Sequence, residues 1–347
     1  MSDPVTRGQA VRIPPDLEAR YARTSAGRAW ISALPGLLAD RLSQWRLEVD
    51  LAPGSLPWSG HGGMVVPVRQ DHGSPAALKI AFPHDEAQVE RHALALWNSQ
   101  GAVALLASDP GSCSMLLERL DAGRSLVALA MDDAVPVWGG LVRQLGLAPD
   151  HREQWQEFGH IAARAEQWSD DFPADWEELG RPFPRWLLEA ALEVCQTRGA
   201  VGRRSSRDLL VHTDLHFLNV LARPGTSAPG GPHLRDGYAA IDPQPMIGEP
   251  EFAVAPLLWN RLADLPVQDA GRGLLRRCGD FSTAAGLDPD VARQWGIARE
   301  VDNALWYAAH GHHGDLARSL WVASTLAGST LDVLPHPHAL PDPGQGG

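Results

Sequence analysis

Residues 57–83, PWSGHGGMVVPVRQDHGSPAALKIAFP, constrain the fold more than any other stretch. They set β-forming runs around two turns: strand, glycine-rich turn, strand (Met64–Arg69), the turn QDHGSP, then strand (Ala76–Ala81). Strands this close together, joined by tight turns, pair antiparallel. A further strand is predicted over 46–51. HDEAQVERHALALWNSQ reads as a helix, with Asp85 and Glu86 suited to its first turn. Short strands are expected near Val103–Leu106 and Ser114–Glu118. Residues 46–120 therefore form a small, mostly antiparallel sheet with one main helix.

Beyond Leu120 the pattern changes to helix. Spans 124–148, 151–168 and 184–198 fit helices separated by Pro- and Asp-rich breaks, and the chain stays mostly helical to about residue 328. Residues 16–47 also carry helical spacing (Leu17, Tyr21, Trp30, Leu34, Leu38), with a break expected near Pro35. RPGTSAPGGPHLRDG (223–237) reads as an exposed loop. YAAIDPQP then gives a short strand ending in Asp242. The expected organisation is a helical segment over 1–45, a sheet lobe over 46–120, a helical lobe over 121–330 and a disordered tail over 331–347. The fold class is α+β.

Composition narrows the partners. The 347 residues carry 30 basic and 42 acidic side chains, a net charge of −12. That charge argues against nucleic acid or an anionic membrane surface and favours a cationic ligand. Cys113, Cys195 and Cys278 are widely spaced, so neither a disulfide framework nor a zinc cluster is expected. No apolar run approaches the roughly 20 residues of a membrane helix. The cytoplasm and a monomeric state are the default expectations. His310, His312 and His313 lack the Cys or well-spaced acid that a metal site needs.

Among the 30 basic residues only Lys79 is a lysine. Where all other cations are arginine, a retained lysine suggests a position that needs a compact ammonium on a thin stem. Lys79 follows the hairpin whose turn, SGHGG, lets backbone N–H groups of Gly60, Gly62 and Gly63 approach phosphate oxygens. A carboxylate from the next helix would hold it extended. Glu86 and Glu90, one helical turn apart, both qualify, and Glu90 fits better.

The stretch VHTDLHFLNVLA (211–222) interrupts an apolar run with His212, Asp214, His216 and Asn219. The pattern H-x-D-x-x-x-x-N, followed by Asp242 after an apolar strand, supplies what phosphoryl transfer requires. One carboxylate takes the acceptor hydroxyl's proton; an amide oxygen and a second carboxylate hold magnesium. His212 would brace the loop.

These motifs, in this order, resemble the aminoglycoside phosphotransferases, which share the protein-kinase-like fold. GRAWISALPGLLADRLSQW, VVPV, AALK, SMLLERLDAGRSL and AIDPQPMIGEPEFAVAPLLWN look like the streptomycin 6-phosphotransferase and hydroxyurea-resistance kinase branch, over about residues 13–325. The resemblance implies a two-lobed kinase fold that uses ATP and Mg2+. Lys79 would bind the α- and β-phosphates with Glu90 as its partner, and backbone groups of Glu118 and Leu120 would hold adenine. Asp214 would be the base, with Asn219 and Asp242 as magnesium ligands.

Three features depart from that pattern. Thr213 replaces a frequent glycine, the 223–237 loop lengthens the Asn219–Asp242 interval, and an aspartate common near Ala253 or Val254 is missing. The implied activity is phosphorylation of an aminoglycoside hydroxyl, with the 6-hydroxyl of streptomycin first. The alternative is a kinase for hydroxyurea or another small hydroxylated metabolite. A non-catalytic ATP-binding module ranks last, because Lys79, Asp214, Asn219 and Asp242 are all intact. On the acceptor side, Glu249, Glu251, Trp259, Asp302 and Asn303 are candidates for a cationic ring.

Overall fold

The computed structural model describes residues 11–60, 62–199, 206–225, 237–341 and 343, without the side chains of Asp85 and Glu86. The chain divides into two compact units at Leu120.

The first unit opens with α1 (Pro15–Tyr21) and α2 (Ser25–Gln44). The helical break falls at Thr24, whose side chain caps α2 by accepting from Gly27 N–H; α2 runs through Pro35 without interruption. Proline inside a helix costs roughly 3 kcal/mol. Trp30, Leu34 and Leu38, spaced four apart, are buried on one face of α2. Each such side chain returns about 1.5–3 kcal/mol on burial, enough to keep the helix whole. They share a core with Leu17 of α1 and with Met64, Val66, Leu78 and Ile80 of the sheet.

The strands are β1 (Leu47–Val49), β2 (Trp58–Ser59), β3 (Gly63–Gln70), β4 (Pro75–Ala81), β5 (Leu105–Asp109) and β6 (Ser114–Glu118), with α3 (Asp85–Trp97) between β4 and β5. The order is β1-β3-β4-β6-β5, with β2 on β3, and every pairing is antiparallel. Side chains alternate across β4. Leu78 and Ile80 enter the core shared with α2. Lys79 and Ala81 point to the opposite face, where Ala81 packs with Ala87 of α3 and Cys113. The strand that carries the lysine is thus covered on both faces.

The second unit begins with a strand where helix was expected, β7 (Asp121–Ser125). It then contains α4 (Met131–Leu145), α5 (Ile161–Glu178), α6 (Arg185–Arg198), β8 (Leu209–His212), β9 (Val220–Ala222), β10 (Tyr238–Ala240), β11 (Pro245–Gly248), α7 (Ala255–Leu258), α8 (Ala270–Ala285), α9 (Pro289–His310) and α10 (His313–Leu326). Two small antiparallel sheets, β10-β9-β7 and β11-β8, are set among the helices. The break expected after 168 is absent: α5 continues through Pro173, burying Trp168, Phe172 and Trp176 at four-residue spacing.

Residues 226–236 of the long loop lie outside the described set; its base is closed by Arg223 N–H donating to Gly237 O at 2.7 Å. The tail expected to be disordered is ordered over 331–341. His336 and His338 bond the carbonyls of Val267 and Leu265 at 3.0 and 2.7 Å, and Leu340 is buried. Imidazole–carbonyl bonds substitute here for a continuous apolar surface, so hydropathy gave no sign of the docking. No helix among the described residues is long and apolar enough to cross a membrane.

Candidate active site

The residues expected on the phosphate side belong to the first unit. Register places Lys79 opposite Val65 of β3 and Met115 of β6, in the middle of the sheet. Its Nζ donates to Glu90 Oε1 at 2.7 Å and Oε2 at 2.6 Å, and both side chains are buried. Glu90 therefore serves as the lysine's partner. It is delivered by the face of α3 that also buries Ala93, Leu94 and Trp97. His84 starts that helix by accepting from Ala87 N–H at 3.3 Å.

The three glycines of the hairpin differ in what they do. A Cβ on Gly63 would lie 2.4 Å from Ile80 O, so only glycine lets β3 approach β4 there. Gly60 has open space around such a Cβ, and Gly62 reaches only His84 at 3.6 Å. Gly60 O accepts from Arg20 at 2.6 Å, and Ser59 Oγ donates to Asp16 at 2.6 Å, so α1 braces the turn. Glu118 ends β6; its N–H donates to Ala104 O at 2.9 Å and its carboxylate accepts from Ala104 N at 3.2 Å. Leu120, the last residue of this unit, is buried.

The acid–amide loop belongs to the second unit and is held from several directions. His212 is buried, which pushes its pKa down to about 4 and keeps the imidazole neutral near pH 7. Its Nδ1 accepts from Asp214 N–H at 3.2 Å, so Nε2 carries the proton and donates to Ile241 O at 3.0 Å. Thr213 donates to Gln244 O from both N–H (3.1 Å) and Oγ1 (2.6 Å), a second tie that glycine would lack. Trp138 Nε1 donates to Leu215 O at 2.9 Å, and Phe217 meets Phe281 edge-on, with ring centroids 5.9 Å apart. His216 caps the following turn by accepting from Leu218 N–H at 3.2 Å and lies 3.6 Å from Asp214 Oδ2.

Asn219 Nδ2 donates to Asp214 O at 2.9 Å, which turns its amide oxygen to the other side. Its backbone carbonyl accepts from Ile241 N–H at 2.9 Å, extending the β9–β10 ladder by one bond. That bond sets Asn219 beside the segment carrying Asp242. The expected strand stops at Ala240, and Asp242 adopts φ +53°, a left-handed conformation that aspartate tolerates better than most residues. An amide oxygen and an exposed carboxylate, both hard oxygen donors, are the chemistry that Mg2+ takes.

The acceptor-side candidates separate into two groups. Glu249 accepts from Arg198 at 3.2 Å and from Trp295 Nε1 at 2.8 Å. Glu251 is buried and accepts from Arg207 at 3.0 Å and from Asp288 N–H at 3.3 Å. Glu249 thus joins α6 to α9, and Glu251 joins the turn before β8 to the start of α9. Trp259 stacks on Tyr307, with centroids 6.1 Å apart at 11°, and Arg318 lies over its ring. Asn303 donates to Glu300 Oε1 at 3.3 Å. Asp302 is pushed up to about 6 by burial, with Arg299 and Arg164 working against the shift.

Sequence reasoning missed two residues of α9. Arg299 donates to Thr213 O at 2.6 Å and reaches Asp214 Oδ1 at 3.4 Å. Glu300 is buried, its Oε2 lacks a hydrogen-bond partner, and burial pushes its pKa up to about 7. Helical spacing was the available signal: Arg299 lies four residues before the chosen Asn303. In so arginine-rich a chain, one more arginine did not stand out.

Residues 48–154 and 187–311 match the family model described as aminoglycoside/hydroxyurea antibiotic resistance kinase. A streptomycin 6-kinase from Streptomyces glaucescens is 35% identical, over 93% of this chain and all of the relative. A hydroxyurea phosphotransferase from Kitasatospora aureofaciens is 33% identical, over 92% of this chain and 87% of that one. Among solved structures, a thermostable mutant of an aminoglycoside phosphotransferase superposes with a TM-score of 0.54 at 16% identity, covering 85% of this chain and 99% of that one. That likeness bears on the fold, which is the two-lobed protein-kinase-like one. With the family model covering most of both units, the chain belongs to the aminoglycoside/hydroxyurea antibiotic resistance kinases.

Proposed function

We propose that this kinase transfers the γ-phosphoryl group of ATP to a hydroxyl of an aminoglycoside, with the 6-hydroxyl of streptomycin as first choice. The observation that chiefly supports the reading is the backbone bond from Ile241 N–H to Asn219 O, which joins the loop of Asp214 and Asn219 to the segment that carries Asp242. Phosphoryl transfer needs little covalent help from the protein; it needs charge stabilisation and alignment. Lys79, held extended by Glu90, would neutralise the α- and β-phosphates. Asn219 and Asp242 would hold Mg2+, which supplies charge neutralisation at the phosphates. Asp214 would orient the acceptor hydroxyl and take its proton. Glu118 and Leu120 would supply the adenine contacts, and Gly60, Gly62 and Gly63 the phosphate-facing turn.

A cationic acceptor suits the net charge of −12. With Glu249 and Glu251 engaged in the fold, the acceptor side rests on Trp259, Asp302 and Asn303. Hydroxyurea is the second reading, favoured by the 33% identity to a hydroxyurea phosphotransferase. ADP release from MgATP, measured with streptomycin, other aminoglycosides and hydroxyurea, separates the two. Stimulation by streptomycin is expected; stimulation by hydroxyurea alone would move the function to the second reading.

A further inference from the structure

Arg299 reaches the acid–amide loop from α9, 85 residues away from Asp214 in sequence. Carboxylates of its own helix lie nearby, since Arg299 acts electrostatically on both Glu300 and Asp302. Its guanidinium nevertheless bonds the loop. Nη1 donates to Thr213 O at 2.6 Å, and Nη2 approaches Asp214 Oδ1 at 3.4 Å. The guanidinium also lies over Phe252, 5.6 Å from the ring centre, which keeps it in place.

The two distances have different consequences. The short bond ties the guanidinium to the backbone carbonyl just before Asp214. The long one orients Oδ1 without holding its lone pair in a full-strength hydrogen bond. The other oxygen, Oδ2, is 3.4 Å from Asn219 Nδ2 and 3.6 Å from His216 Nε2. The carboxylate is therefore turned by three neighbours and clamped by none. Asn219 steers Oδ2 while its Nδ2 bonds Asp214 O at 2.9 Å. Arg299 steers the other oxygen, Oδ1, from a distant helix while bonding Thr213 O, and its rigid guanidinium fork does so with two N–H groups from one plane.

We propose that Arg299 is a positioning residue for phosphoryl transfer, holding the Asp214 carboxylate in the orientation that receives the acceptor's proton. In that step the acceptor oxygen bonds to the γ-phosphorus and the bond from that phosphorus to the leaving ADP oxygen breaks. The hydroxyl proton passes to Asp214. The inference rests on Asp214 being the base.

The test is a double-mutant cycle with Arg299→Gln and Asp214→Asn. It is read as kcat and as KM for MgATP and for the acceptor that stimulates ADP release, with thermal midpoints as a folding control. Arg299→Gln is expected to lower kcat about tenfold to a hundredfold, the effect of misplacing a reacting group by about 1 Å, while both KM values stay within about twofold. Arg299→Lys should recover part of the loss. In the Asp214→Asn background, Arg299→Gln should lower the residual rate no further, because residues that act as a unit are non-additive. An additive loss there, or a loss confined to KM, overturns the positioning role and leaves the base assignment standing. Normal turnover by Asp214→Asn alone overturns the base assignment instead. Should Arg299→Gln fail to fold, Arg299→Lys in the two backgrounds decides by the same criterion.

Discussion

The Lys79 ammonium bridges both oxygens of Glu90, at 2.7 and 2.6 Å, with neither side chain open to water. Burying two charges is costly, and removing one partner leaves the other uncompensated. Glu90→Gln is therefore expected to lower unfolding free energy by about 3–5 kcal/mol in denaturant titrations. It should also raise KM for ATP, since Lys79 loses the group that keeps it extended. Lys79→Arg keeps the charge but forces a wider head into a packed site. A loss in kcat/KM of at least about a hundredfold is expected from misplacing one phosphate donor. A fully active Lys79→Arg would mean that the chain's sole lysine serves no purpose arginine cannot.

Asp242 adopts φ +53°. Asparagine tolerates this conformation well, so Asp242→Asn removes the charge while keeping the backbone. Thermal midpoints should change by no more than a degree or two, on the order of 0.5 kcal/mol. The Mg2+ concentration for half-maximal activity should rise at least about tenfold, as expected for loss of a charged ligand. Titrating Mg2+ at fixed ATP measures it. An unchanged Mg2+ requirement would remove Asp242 from the metal site.

Glu300 gives a pH signature of stability. Burial raises its pKa from 4.5 to about 7. Between those values the native protein holds a proton that the unfolded chain has released. Stability contributed by the protonated form therefore falls as pH rises from about 4.5 to about 7 and stays lost above it. The size is about 3 kcal/mol as an upper bound, from about 1.36 kcal/mol per pKa unit. Glu300→Gln removes the titration, so its thermal midpoint should gain on that of the wild type by more at pH 8 than at pH 5. Equal differences at the two pH values would show that Glu300 is ionised throughout.

The glycines of the hairpin separate structure from binding. Gly63→Ala sets a methyl group 2.4 Å from Ile80 O and should destabilise the first unit by about 1–3 kcal/mol. Gly60→Ala meets open space, so any cost to stability should stay within about 0.5 kcal/mol. Increased KM for ATP in Gly60→Ala with an unchanged midpoint would place that backbone against the nucleotide. Unchanged kinetics would remove Gly60 from it.

What the sequence determined by itself was local. β-Forming runs on either side of the QDHGSP turn specified the β3–β4 hairpin, since strands joined by a tight turn pair antiparallel. The spacing from His212 to Asn219 fixed a loop in which an imidazole, a carboxylate and an amide meet, because neighbours five residues apart in one turn have few places to go. The single lysine marked its own strand. Tertiary structure decided what depends on distant partners. Pro35 remains inside a helix because three side chains on that face are buried against the sheet. Glu249 and Glu251, chosen for their charge, are taken up by Arg198, Trp295, Arg207 and Asp288 from elsewhere in the chain. Arg299 meets Asp214 only because α9 crosses the loop. No local spacing records such a contact: its strength comes from geometry and burial, and both are set when the chain has closed on itself.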